Sequence, residues 1–72
     1  MKYLYFCQLN GLELVFLANM ELQENDIRFR LKNIDPIHEN SRCRVRYLLV
    51  KDDGLNEPVD ISLAPLKFQF WL

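Results

Sequence analysis

Leu9-Asn10-Gly11-Leu12 is the stretch on which the fold turns. Asn-Gly supplies the two positive φ angles of a type I′ turn, so it predicts a two-residue loop joining two antiparallel strands. Register follows by counting outward: Leu9 faces Leu12, Cys7 faces Leu14, Tyr5 faces Phe16 and Tyr3 faces Ala18, all on one side of the hairpin. Along the second strand the even positions from Leu12 to Leu22 are apolar without exception, while the odd ones (Glu13, Val15, Leu17, Asn19, Glu21, Gln23) are mixed. That alternation fits a strand better than a helix. The other side of the hairpin carries Leu4, Phe6, Val15 and Leu17, so both faces are apolar near the middle. A later strand covers this second face, with Phe68 to Leu72 as the candidate cover, or the face is a protein interface.

Beyond the hairpin, Glu24-Asn25-Asp26 reads as a polar turn, and Ile27, Phe29 and Leu31 then alternate with Arg28, Arg30 and Lys32, which predicts a third strand over 27–34. Residues 35–41, with a proline and several turn formers, read as a loop. A fourth strand runs over 42–51 and ends at the Asp52-Asp53-Gly54 turn. Val59, Ile61 and Leu63 alternate again. Pro65 breaks the phase, and Leu66, Phe68, Phe70 and Leu72 resume it in an edge or bulged strand. Short strands, tight turns and no helical period predict a single all-β domain over 1–72, an antiparallel meander of five or six strands forming a small barrel or a compact bent sheet.

The chain has 72 residues, half of them hydrophobic, with five Phe, three Tyr and one Trp. Aromatics supply much buried area per ordered side chain, which offsets the thin stability margin of so short a domain and argues against disorder. The net charge of −1 conceals a pattern: residues 1–26 carry −3, 27–51 carry +5 and the remainder −3. A local field of one sign steers a partner whatever the total charge.

If strands 27–34 and 42–51 pair across the intervening loop, Arg28, Arg30, Lys32, Arg42, Arg44 and Arg46 share one face, with Lys32 near Arg44 and Arg30 near Arg46. Like charges facing each other on a sheet cost up to about 1 kcal/mol per pair, so something must offset them. Three offsets are open. Acidic side chains within the fold neutralise them, Glu21 beside Arg28 for instance; phosphates of a single-stranded nucleic acid do; or an acidic surface on a partner protein does. Against nucleic acid, parity turns Phe29 and Tyr47 to the core side, leaving the cationic face without aromatics for stacking.

Catalysis has little support. His38 is the only histidine, and with Asp35, Glu39 and Ser41 it lies in a loop that offers little to bury or orient it. Asp52, Asp53, Asn56, Glu57 and Asp60 lack the spacing of an EF-hand loop. Cys7 and Cys43 are far apart in sequence and in no metal-ligand spacing, which suits free thiols, with Cys43 turned to the apolar side. Two glycines, both in turns, leave no phosphate loop. We therefore expect no catalytic residue, metal or cofactor. The run from Leu14 to Ala18 is too short for a membrane span or a signal peptide's apolar core, so a cytoplasmic protein is expected.

Leu9-Asn10-Gly11-Leu12 followed by a long alternating strand resembles the strand–turn–strand of bacterial Sm-like RNA chaperones, whose five-stranded bent sheets form rings. No bending glycine follows in the second strand, and His38 has no lysine beside it, so no RNA-binding residue carries over.

The resulting expectation is a non-enzymatic protein-binding module using the six cations together with Leu4, Phe6, Val15 and Leu17. Its partner would be a protein with an acidic surface, and self-association into a homo-oligomer is expected. In size it resembles the accessory, adaptor and inhibitor proteins of bacteria and phages. The alternative is a small nucleic-acid-binding β-barrel using the same arginines.

Overall fold

The computed structural model describes residues 1–34, 40–51 and 60–72. They form one open four-stranded antiparallel sheet with a single short helix on one face. The elements are β1 (Lys2–Leu9), β2 (Leu12–Ala18), α1 (Glu24–Ile34), β3 (Arg42–Val50), a 3₁₀ turn (Ile61–Leu63) and β4 (Leu66–Trp71), and the sheet order is β2-β1-β3-β4. The protein is thus mostly β, with four strands in an open sheet among the described residues rather than five or six in a barrel.

The hairpin has the expected register, with Leu9 opposite Leu12, Cys7 opposite Leu14, Tyr5 opposite Phe16 and Tyr3 opposite Ala18. Its turn is of a different type. Gly11 has φ +71°, but Asn40 is the sole described non-glycine with positive φ, so Asn10 stays in the ordinary region and only the second turn residue is left-handed. That is the pattern of a type II turn. A Cβ at Gly11 would meet nothing within 4 Å, so the demand for glycine is conformational and not steric. Gly11→Val should therefore lower stability by about 1–2 kcal/mol, the cost of left-handed backbone for an L-residue, in urea titration. Gly11→Asn should lose less, and a wild-type midpoint for the valine variant would refute this account.

The principal correction concerns residues 24–34, which are helical. Ile27 and Leu31 are four apart, a spacing that puts both on one face of a helix as readily as on one face of a strand. Phe29 separates the two readings: it is 70 % exposed while Ile27 is 0 %. The entry is capped. The Gln23 N–H donates to Asp26 Oδ2 at 2.9 Å, and the Ile27 N–H donates to the Gln23 carbonyl at 3.2 Å as the first helical bond. Leu22, just before the cap, and Ile27, at the fourth helical position, both enter the core as a hydrophobic staple. Glu24 and Asp26 in the first turn and Lys32 in the last complement the helix dipole.

The helix lies over the sheet face that carries Tyr5, Cys7, Cys43, Val45 and Phe70, all buried with Ile27 and Leu31 in one cluster. Tyr5 and Tyr47 stack within it, ring centroids 6.2 Å apart, and the Leu22 N–H donates to the Tyr5 hydroxyl at 2.7 Å, tying the helix entrance to the sheet. Cys7 and Cys43 are free and buried in mutual contact. The hydrogen bond with Cys43, together with burial, keeps the Cys7 thiol protonated by raising its pKa above the ordinary thiol value of 9.0.

β4 is an edge strand and is bulged, as the phase break at Pro65 suggested. Val45 faces Phe68 while Arg46 faces Leu66, so Lys67 is the extra residue. The bulge turns Lys67 to the helix side, where Nζ lies 4.4 Å from the centroid of the Tyr47 ring and pairs with Glu21. Glu21 thus meets Lys67 and not Arg28, and its carboxylate holds the Lys67 ammonium above the usual lysine value of 10.5. Phe68 and Phe70 also point to the helix side, so the C-terminal strand extends the core and does not cover the second face of the hairpin. Ile61–Leu63, expected as strand, is a 3₁₀ turn capped by Asp60, whose Oδ1 accepts from the Ser62 N–H at 3.0 Å. Val59 lies outside the described residues.

Candidate functional site

The helix divides the six cations. Arg28 sits over the Phe70 ring at 4.8 Å and Arg30 over the Phe16 ring at 5.9 Å, so the two straddle the helix and shield opposite margins of the core, while Lys32 is exposed in the last turn. Arg42, Arg44 and Arg46 project from β3 on the other side of the sheet. The shared six-charge face is therefore overturned, and so is its like-charge cost. In place of Lys32 and Arg30, Arg44 has Gln8 and Gln69 as strand neighbours, and Arg46 has Phe6 and Leu66.

The same division brings the β3 arginines together with the four apolar residues of the hairpin's second face. Even positions on β1 and β3 and odd positions on β2 share this face by strand alternation, so Leu4, Phe6, Val15 and Leu17 lie on the same side of the sheet as Arg44 and Arg46, with Phe6 directly opposite Arg46. Seven of the ten residues predicted from sequence thus share one face (Leu4, Phe6, Val15, Leu17, Arg42, Arg44 and Arg46), and Arg28, Arg30 and Lys32 lie elsewhere. Leu48 on β3 also belongs to this face and was missed, although the even alternation of β3 points to it.

A shallow groove on this face is lined by Phe6, Glu13, Val15, Arg44, Arg46 and Ile61. Its floor and rim differ in exposure: Phe6 is 9 % exposed and Val15 56 %. The 3₁₀ turn forms one wall, tethered by Arg46, whose Nη1 donates to the Ala64 carbonyl at 3.0 Å. Arg46 is thereby committed to the fold. Arg42 reaches diagonally to the side-chain amide of Gln69 on β4. Arg44 is exposed and, among the described residues, makes no ion pair, even with Glu13 in the same groove. Glu13 lowers the positive potential locally without fixing the guanidinium in place.

Asp35, His38 and Glu39, and the acidic positions 52, 53 and 57, lie outside the described residues. Among the described residues no group of three or more His, Cys, Asp or Glu side chains is placed to hold a metal ion, and no helix is long and apolar enough to cross a membrane. No protein-family model, curated protein or solved structure matches the chain.

Proposed function

We propose that this protein is a non-enzymatic binding module that recognises another protein through the helix-free face of its sheet. The observation that carries this reading is the placement of Arg44, exposed and without an ion pair among the described residues, beside an apolar groove whose rim residue Val15 is about half exposed. An arginine of this kind offers a carboxylate two parallel hydrogen bonds, and the groove takes the apolar side chain next to that carboxylate. The complementary partner surface is acidic with apolar anchors, as an accessory or inhibitor protein would meet.

Nucleic acid fits this face less well. Its aromatics are Phe6, sunk in the groove floor, and Trp71 at the far edge, while half of the cations stand on the opposite side of the molecule. Titration of a synthetic peptide of alternating glutamate and leucine, followed by NMR, tests the proposal. Shifts should concentrate at Phe6, Val15, Leu17 and Arg44. Arg44→Ala should weaken binding by about tenfold or more, worth about 1.4 kcal/mol, while Lys32→Ala leaves it unchanged. Shifts on the helix side, or binding to generic single-stranded DNA that falls in equal steps along all six cations, would overturn it.

A further inference from the structure

The two edges of the sheet are unequal in a way that hydrogen-bond phase makes specific. Leu9 and Leu12 flank a two-residue turn as a mutually bonded pair, and pairing alternates outward from them. Even residues of β2 therefore bond to β1, while the N–H and C=O groups of Glu13, Val15 and Leu17 point away from the sheet. The same phase, carried across β1 and β3, requires odd residues near β3 to bond on the β4 side. They do: the Tyr47 N–H donates to the Pro65 carbonyl at 3.2 Å, and the Ser41 carbonyl accepts from the Leu72 N–H at 2.9 Å.

Edge strands are normally guarded by prolines, inserted charges or bulges that stop further strands from adding. β4 has Pro65 at its entrance and a bulge at Lys67. β2 pairs with β1 at seven consecutive positions without a bulge, and it contains no proline, lysine or arginine.

We propose that β2 is a homodimerisation edge, to which β2 of a second copy adds antiparallel with Phe16 opposite its own counterpart. In this register Leu14 meets Ala18 and Val15 meets Leu17, so apolar residues face apolar residues on both sides of the sheet. The bonded pairs fall on Val15 and Leu17, whose backbone groups point outward with no strand paired to them among the described residues. Glu13 falls opposite Asn19, and no like charges face each other across the strands. Sliding the register to set Val15 on Val15 would instead oppose Glu13 to Leu17. Each copy's Arg30 guanidinium lies over its Phe16 ring and is exposed, where salt weakens the repulsion between the two. The strand is thus complementary to itself, which makes a second copy the favoured occupant of the edge.

Sedimentation and residue-resolved hydrogen exchange on the full chain test this inference. The expected mass is twice 8.7 kDa, with exchange at the Glu13, Val15 and Leu17 amides slowing as protein concentration rises. Val15→Pro removes an outward donor and leaves the β1-directed amides of Leu14 and Phe16 in place, so it should give a folded monomer. Should that variant not fold, the double substitution Val15→Lys with Leu17→Lys, which sets lysines against lysines in the proposed register, should do the same. Arg44→Ala should leave the dimer intact, which separates this edge from the peptide-binding face. A wild-type monomer at every concentration, a dimer whose three edge amides exchange freely, or a dimer that survives in the folded edge variants would overturn the inference. So would protection of those amides only when the glutamate–leucine peptide is added, since the edge would then accept a foreign strand.

Discussion

Ile27→Ala should destabilise the protein by about 2–5 kcal/mol, whereas Phe29→Ala, a larger truncation two residues away, should change stability by no more than about 0.5 kcal/mol. Ile27 is fully buried between α1 and the sheet, in contact with the cluster that includes Tyr5 and Val45. Removing three carbons there forfeits their transfer energy and leaves a cavity that a sheet on one side and a helix on the other can close only in part. A domain of this length has a total stability of about 4–11 kcal/mol, so the variant should be partly unfolded at modest urea concentrations. Phe29 has solvent on most of its surface and nothing comparable to lose. Equal destabilisation by the two substitutions would mean that both side chains face a core, which only a strand over 27–34 provides, and the helix would be refuted.

Tyr5→Phe should cost about 1–3 kcal/mol, although it removes a single oxygen. The Tyr5 hydroxyl is the acceptor for the Leu22 N–H at 2.7 Å, inside the core. Without it a buried amide loses its partner, with no water to replace the bond. Leu22 also begins the staple that starts α1, so the loss should loosen the helix entrance along with the sheet. For a domain of 60–100 residues, 1 kcal/mol corresponds to about 4–8 °C in melting temperature. Thermal melts by circular dichroism should show a shift of at least that size, and a melt superimposable on wild type would remove the bond from the list of what holds α1 to the sheet.

The hairpin was legible residue by residue because two independent signals agreed: Asn-Gly marked the turn, and unbroken alternation from Leu12 to Ala18 fixed which side chains face inward. Segment 24–34 was misread because Ile27, Phe29 and Leu31 satisfy a period of two, while Ile27 and Leu31 alone satisfy the helical spacing of four. Phe29 cast the deciding vote and cast it wrongly. Better discriminators were local. Leu22-Gln23 followed by Asp26-Ile27 is a staple around a cap, and Glu, Arg, Leu and Lys favour helix over strand. The error then propagated to the cations, because the parity argument that gathered six of them on one face holds only if both segments are strands. The β3 half of that argument was sound, since Arg42, Arg44 and Arg46 do share a face; its junction with Phe6 and Val15 depends on β1 pairing with β3, a long-range contact that no local spacing announces. That Arg46 is tied to the Ala64 carbonyl was beyond reach, since it depends on where a loop returns over the sheet and not on any spacing along the chain.

The bulge at Lys67 has a consequence for how far association can proceed. A sheet with two receptive edges is a monomer in the chemist's sense, able to add units at both ends without limit. A sheet with one receptive edge has a functionality of one, and a two-fold pairing through β2 consumes it. The two outer borders of the joined sheet are then both β4, each entered through Pro65 and interrupted where Lys67 is turned towards Tyr47 and Glu21. In the proposed pair the extra residue in β4 would act as a chain terminator, so that association through β2 ends at two copies instead of growing into a fibre.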